Sequence, residues 1–153
     1  MDPGGVNKPC PFCAIASGEA DGHMVYEDEA AFAFLDHSPL AVGHCLLVPR
    51  AHVATIFDAG VETLEALARA TKTVGTAIHR ALASDGLFVA HNNVVSQSVP
   101  HLHVHLVPRW KGDKLFSGGS MVWRRVRYRD EAQKAETAER IRAALTSSRR
   151  GER

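Results

Sequence analysis

The segment SVPHLHVHLVPR, residues 98–109, places histidine at every second position from 101 to 105, between two prolines. In an extended chain alternate side chains share a face. His101, His103 and His105 are therefore expected on one side of a strand, and Leu102, Val104 and Leu106 on the other. Two chemistries suit a face of imidazoles. Imidazole is the commonest metal ligand, and two histidines two residues apart can share one ion. Alternate Cα atoms stand roughly 6.5–7 Å apart, so a site using all three would be strained. Neutral imidazole is also a good nucleophile near neutral pH, and its N-phosphoryl adduct is open to water. A flanking imidazole can then hydrogen-bond the phosphate oxygens as charge develops. The rival account is a merely solvated strand face, which three in-line histidines fit poorly.

The chain around this segment has 153 residues, 45% of them hydrophobic, which suits one compact domain with a core. Its 18 basic and 17 acidic side chains nearly cancel. Charge thus gives no sign of attraction to nucleic acid or to a membrane surface. The start, MDPGGVNKPC, lacks an apolar signal core, and no stretch is long enough to span a bilayer. A cytoplasmic location is the expectation. Cys10 and Cys13 form a CxxC pair, and Cys45 stands alone in an apolar run. An odd count argues against a disulfide framework.

Residues 1–9 read as a flexible tail, and CPFCAIASGE as one or two helical turns. HMVYEDEAAFAFLD reads as two short strands about the acidic turn Asp28–Glu29, and HCLLVPR as a buried strand stopped by Pro49. Apolar residues at Val61, Leu64, Leu67, Ala68, Val74, Ile78 and Leu82 follow a helical stripe, predicting a helix over 61–82 with Asp58 as its cap. LFVAHNN is a strand, VVSQSVP a loop, the histidine run the last central strand, and KGDKLFSGGSM a glycine-rich loop. Asp130 and Gln133 have capping-box spacing at the start of a second helix, and residues 147–153 read as a fraying tail. The order βββ–α–ββ–α implies an α+β fold: an antiparallel sheet of about five strands with its helices on one face. One domain, residues 10–146, holds it all.

HLHVHLV, with its approach QSVPHLHVH, resembles the signature of the histidine triad (HIT) family. CPFCAI, AFLDHSPLAVGHCLLVPRAH and the long central helix are also similar to that family, so the likeness covers roughly residues 10–110. It implies the HIT-like fold, with a long central helix and a C-terminal helix. A third histidine at position 105 favours the hydrolases over transferase relatives such as galactose-1-phosphate uridylyltransferase, which carry glutamine there. The implied activity is that of a nucleoside phosphoramidase or a dinucleoside polyphosphate hydrolase. The other reading is a nucleotide-sensing or protein-interaction module with only residual hydrolysis.

The resemblance also assigns roles. His103 matches the family nucleophile, expected to attack the α-phosphorus and form a nucleotidyl-histidine, with its other ring nitrogen held by a backbone carbonyl. His105 would hydrogen-bond a phosphate oxygen. Ser98 matches a hydroxyl near the leaving group, and Gln97 could donate to that group. Asn92 aligns with a family asparagine at the end of the preceding strand. The loop 93–97 is shorter than in the best-known branch, which leaves Asn93 as its alternative. Asp36 matches the acid that accepts the ribose hydroxyls, and Phe12, Ile15 and Phe34 match the residues that sandwich the base. All three apolar residues would serve equally well in a core, and Asp36 could simply open a turn. The expected ligand is a purine mononucleotide or AMP derivative, handled without a catalytic metal. Bacterial-type members with CxxC imply a structural zinc on Cys10, Cys13, His52 and His101. His44 matches a position with a structural role. A homodimer is expected, with helix 61–82 a candidate interface element. The basic run WRRVRYRDE, holding Arg124, Arg125, Arg127 and Arg129, reads as a solvated strand or loop, or as a patch drawing in polyphosphate or meeting a partner subunit's pocket.

Overall fold

Side-chain alternation decides how the layers form. In the computed structural model, which describes residues 9–116 and 124–151, the strands are β1 (Met24–Glu27), β2 (Ala31–Leu35), β3 (Cys45–Pro49), β4 (Gly86–Ala90) and β5 (Val104–Arg109). They form one antiparallel sheet in the order β1-β2-β3-β5-β4. The helices are α1 (Pro11–Ala16), α2 (Val61–Leu82) and α3 (Glu131–Gly151). Residues 1–8 of the expected tail, residues 117–121 of the glycine-rich loop with 122–123 after it, and the last two residues lie outside the described residues.

Ala31, Ala33 and Leu35 of β2 join Cys45 and Leu47 of β3 and Val104 and Leu106 of β5 in one buried cluster. Against them pack Leu67, Ala70, Val74, Ala77 and Ile78 of α2 and Ala138 and Ile141 of α3. The intervening residues Phe32, Phe34, Leu46 and Val48 point to the opposite face, where Phe12 of α1 covers them. Helices on one face thus describes α2 and α3 only; α1 lies on the other. The reason is the period-two pattern of β2 and β3, which is apolar on both faces and so needs cover on both.

The boundaries of α2 match its apolar stripe, but its cap does not match the expectation. Gly60 is the N-cap, with no side-chain hydrogen bond. Asp58 instead closes a tight turn, its Oδ2 accepting from Thr55 N at 3.1 Å and from Thr55 Oγ1 at 2.6 Å. A local carboxylate–backbone turn competed with the capping role and won. The helix ends on Ala83 in the left-handed region (φ 49°). The start of α3 follows its spacing: Asp130 Oδ1 accepts from Gln133 N at 2.8 Å, and Gln133 Oε1 reaches back to Arg129 N at 2.7 Å. The helix continues past residue 147, where a fraying tail was expected, and runs to Gly151, the first helix-stopping residue after Asp130.

The strand expected over the whole histidine run begins later, at Val104. The backbone before it pairs elsewhere: Leu102 N–H donates to Val53 O at 2.8 Å, and His101 N–H to Val99 O at 2.8 Å. The alternation survives this change. Leu102 joins the helix-side core, whereas His101 and His103 both contact the ring of Phe12 on the other face.

Ala83 generates a test. Left-handed backbone costs an alanine roughly 1–2 kcal/mol, and glycine's extra freedom in the unfolded chain offsets under about 1 kcal/mol of that. Ala83→Gly should therefore stabilise the domain by about 0.5–1 kcal/mol. Urea unfolding measures it, and a lowered midpoint would contradict this helix end.

Candidate active site and adjoining metal cluster

A neutral imidazole has one nitrogen that donates and one that accepts, so a fixed partner on one side defines the other. His103 Nδ1 lies 2.7 Å from His101 O, a carbonyl that can only accept. Nδ1 therefore carries the proton and Nε2 keeps a lone pair. Among the described residues Nε2 of His103 has no hydrogen-bond partner, and no buried side-chain nitrogen or oxygen lacks one. Nε2 is accordingly the atom through which this otherwise buried ring is reached. Burial pushes the His103 imidazole below its ordinary value, keeping it neutral, while the Asp36 charge pulls the other way.

Beside it, His105 is fixed in the opposite sense. Leu40 N–H donates to His44 Nδ1 at 3.0 Å, so His44 carries its proton on Nε2. That nitrogen lies 2.9 Å from His105 Nδ1, which must accept, leaving Nε2 of His105 as an N–H donor. The His103 and His105 rings are 5.0 Å apart. Burial drives both relay rings down, His44 to about 4 and His105 to about 3. Asp36, His44 and His105 also bring donor atoms within 4.8 Å of one another, a grouping that could suggest a cation. The Leu40 amide decides otherwise: a His44 that accepts at Nδ1 has a proton, not a lone pair, at Nε2.

The Cys/His cluster lies on the far side of His101. Cys10, Cys13, His52 and His101 place one ligand atom each within 4.8 Å of the others. Cys10 Sγ is 3.3 Å from His101 Nδ1, and Cys13 Sγ is 3.3 Å from His52 Nδ1. Here too a carbonyl sets the tautomer. His101 Nε2 donates to Pro49 O at 2.8 Å and so frees Nδ1 as a ligand. Burial, with Cys10 alongside, pushes the Cys13 thiol up. Two soft sulfurs and two imidazole Nδ1 atoms brought together are a fit set for a metal. His101 thus serves two sites, its ring on the cluster and its carbonyl on His103.

A cleft of about 600 Å³ opens beside this array, lined by Ile15, Phe34, Asp36, His37, Glu131 and Lys134 among others. Three of the residues matched to nucleotide binding, Ile15, Phe34 and Asp36, therefore share one cavity. His103 does not line it. Phe12 bridges the two, its ring 5.4 Å from Phe34 and 5.1 Å from His103. Asp36 closes the inner end, its Oδ2 3.7 Å from His44 Nε2.

The loop before the histidine run differs from expectation at one residue. Gln97 is tied into the scaffold: Nε2 donates to Ala54 O at 2.6 Å, and Oε1 accepts from Val94 N at 2.9 Å. Its carboxamide oxygen is thereby engaged, and one amide proton is already spent. Asn92 Nδ2 donates within the loop to Ser96 O at 3.2 Å. Ser98 is exposed and makes no hydrogen bond among the described residues. One histidine, His91, escaped sequence reasoning, and another, His44, was matched only to a structural role. His44 proves to be the middle of the relay. His91 accepts at Nδ1 from Asn93 Nδ2 at 2.7 Å, because Asn93 Oδ1 is already taken by Ile56 N–H. Its charged form would disfavour a charge on His103. The His44–His105 contact spans 61 residues, and Asn93, the local partner of His91, is oriented by Ile56 from another segment.

The HIT domain family matches residues 17–112, and the chain belongs to that family. Among solved structures, the crystal structure of a Zn-bound histidine triad family protein from Mycobacterium smegmatis is 34% identical with a TM-score of 0.82, covering 94% of this chain and 97% of its own. A hypothetical histidine triad nucleotide-binding protein from Sulfolobus tokodaii is 32% identical with a TM-score of 0.79, covering 90% and 93%. Adenylylsulfatase HINT3 of Arabidopsis thaliana is 30% identical over 118 residues, 76% of this chain and 60% of that protein. No helix among the described residues is long and apolar enough to cross a membrane.

The relay predicts the pH dependence of stability. His44 and His105 have folded values of about 4 and about 3, below the ordinary 6.5 of imidazole. Below about pH 6.5 the unfolded chain binds protons that the folded relay refuses. Stability is therefore full above that pH and falls as pH drops toward the folded values, by about 1.4 kcal/mol per pH unit for each proton withheld. Urea unfolding midpoints should decline steadily from about pH 7 to about pH 5; a flat profile would refute the neutral relay.

Proposed function

We propose that this protein hydrolyses nucleotides through a covalent intermediate on His103. The observation that carries the reading is the pairing of opposite tautomers: an open Nε2 lone pair on His103 beside a backbone-anchored Nε2–H on His105. The cleft would hold the nucleoside, with Phe34 and Ile15 against the base and Asp36 on the ribose. His103 Nε2 attacks the α-phosphorus, the N–P bond forms, and the bond to the leaving group breaks. Water then attacks phosphorus, the N–P bond breaks, and the nucleoside monophosphate leaves. His105 donates to a phosphoryl oxygen through both steps. Phosphoramidates and phosphoanhydrides of adenosine are the proposed substrates.

The cluster of Cys10, Cys13, His52 and His101 is proposed to hold zinc as a structural ion. The two 3.3 Å sulfur–nitrogen separations are close to the roughly 3.5 Å edge of a tetrahedron with zinc–sulfur and zinc–nitrogen bonds. Zinc bound there would cross-link α1 to the segments after β3 and before β5. A second copy of the chain is proposed to pair along β4, an edge strand that leaves Val89 46% exposed. The cytoplasm is the proposed location.

Mass spectrometry after acid-free quenching with an adenylate substrate tests the chemistry. A nucleotidyl mass on the tryptic peptide 81–109 is expected, and His103→Ala should remove it and lower turnover by about 10³-fold or more while AMP still binds. Wild-type turnover in that variant would refute the role of His103. Tight AMP binding with background turnover in the unaltered protein would favour the sensing module instead. Cys10→Ser should lower both zinc content and Tm; freshly purified reduced protein free of zinc would end the metal assignment.

A further inference from the structure

The nucleotide reading leaves Arg125 without a task, yet Arg125 stands on the residue assigned to the sugar. Its Nη1 donates to Asp36 Oδ2 at 3.0 Å and also to Ser38 O. Both bonds use the same nitrogen. Nε and Nη2 make no hydrogen bond to any described residue, and the side chain is 42% exposed where that of Asp36 is 6%. The backbone beside it is anchored by Val126 N–H donating to Pro39 O at 2.7 Å. The guanidinium is thus pinned at one corner and presents its Nε–Nη2 edge, the fork that matches a phosphate bidentately. His37, which lines the cleft with Asp36, adds a second nitrogen 3.9 Å from Asp36 Oδ1.

A plain ribose diol carries two donors and is best met by two acceptors. This subsite offers one carboxylate, with Oδ1 already accepting from Ser38 N–H at 2.9 Å and Oδ2 from Arg125. Beside that carboxylate stands the Arg125 guanidinium, whose Nε and Nη2 donate to no described residue. Each carboxylate oxygen keeps a lone pair for a ribose hydroxyl, and the fork beside the carboxylate suits an anionic ester on the same sugar. A phosphate there would be repelled by Asp36 alone, and Arg125 cancels that charge. We propose that Arg125 reads a phosphate ester on the ribose, so that the preferred ligands are adenosine nucleotides carrying a 2′- or 3′-phosphate as well as the 5′-phosphate. The inference rests on the cleft being the nucleotide site and names its substrate class.

Titration calorimetry with AMP, adenosine 2′,5′-bisphosphate and adenosine 3′,5′-bisphosphate tests it on the full chain. One bisphosphate is expected to bind the wild-type protein about tenfold or more tightly than AMP, as a charge-assisted bidentate contact allows. Which one does so identifies the hydroxyl that is read. In Arg125→Ala the ratio of the two constants should fall to near one, and Arg125→Lys, which keeps the charge without the fork, should recover only part of it. Unfolding curves of both variants verify that they fold. Equal binding of AMP and both bisphosphates to the wild type overturns the proposal, as does a preference that survives in Arg125→Ala. Tighter AMP binding in Arg125→Ala, where the wild type itself shows no preference among the three compounds, overturns it too, showing that Arg125 competes with the ribose. In these three outcomes AMP still binds, and the nucleotide reading stands. No binding of any of the three compounds overturns both.

Discussion

The site depends on backbone groups deciding which nitrogen of each imidazole is free. A carbonyl makes one nitrogen a donor and an amide makes it an acceptor, and neither can reverse its role. Pro49 O turns the lone pair of His101 toward the cysteines, His101 O turns the lone pair of His103 outward, and Leu40 N–H sets His44 and through it His105. The four rings are chemically identical, yet each turns one particular nitrogen to its surroundings, which is what the proposed roles of metal ligand, nucleophile, relay and phosphate contact require. Burial completes the assignment by disfavouring the charged form of each ring.

This arrangement explains why the sheet needs cover on both faces. The helix-side core holds β3 and β5 at a fixed register, Leu46 opposite His105 and Cys45 opposite Leu106. The other face carries the chemistry, and the short α1 with Phe12 shields it from water. A helix of six residues has little stability of its own. Cys10 at its N-cap and Cys13 within it join the His52–His101 cluster, so the residues proposed as ligands also tie the helix to the sheet.

Asp36 joins the two halves of the site. It borders the cleft, lies close to His44, and carries Arg125. A buried carboxylate needs such partners, since an unpaired charge in this position would cost several kcal/mol. Its environment is therefore a stability requirement, and the same contacts bear on the nucleotide proposed for the cleft. What fills the cleft must accept the partners Asp36 already has.

The sequence by itself determined the five strands, the extent of α2 and the short motifs that carry the family resemblance, and that resemblance in turn implied the grouping of Cys10, Cys13, His52 and His101. Those features are written in local periodicity and in short motifs, and residues close in sequence report them directly. The resemblance also singled out His103 and His105 and matched Ile15, Phe34 and Asp36, which border one cavity, with Phe12, Asn92 and Gln97, which do not line it. The sequence did not show that Gln97 is tied to Ala54, that Asp58 closes a turn and leaves the capping of α2 to Gly60, or that His44 and His91 belong to the array. Nor did it show that Arg125 rests on Asp36, 89 residues away. Only the tertiary structure decided these. A hydrogen-bond partner is a matter of distance in space, and a tautomer depends on one carbonyl or amide that the chain brings in from another segment.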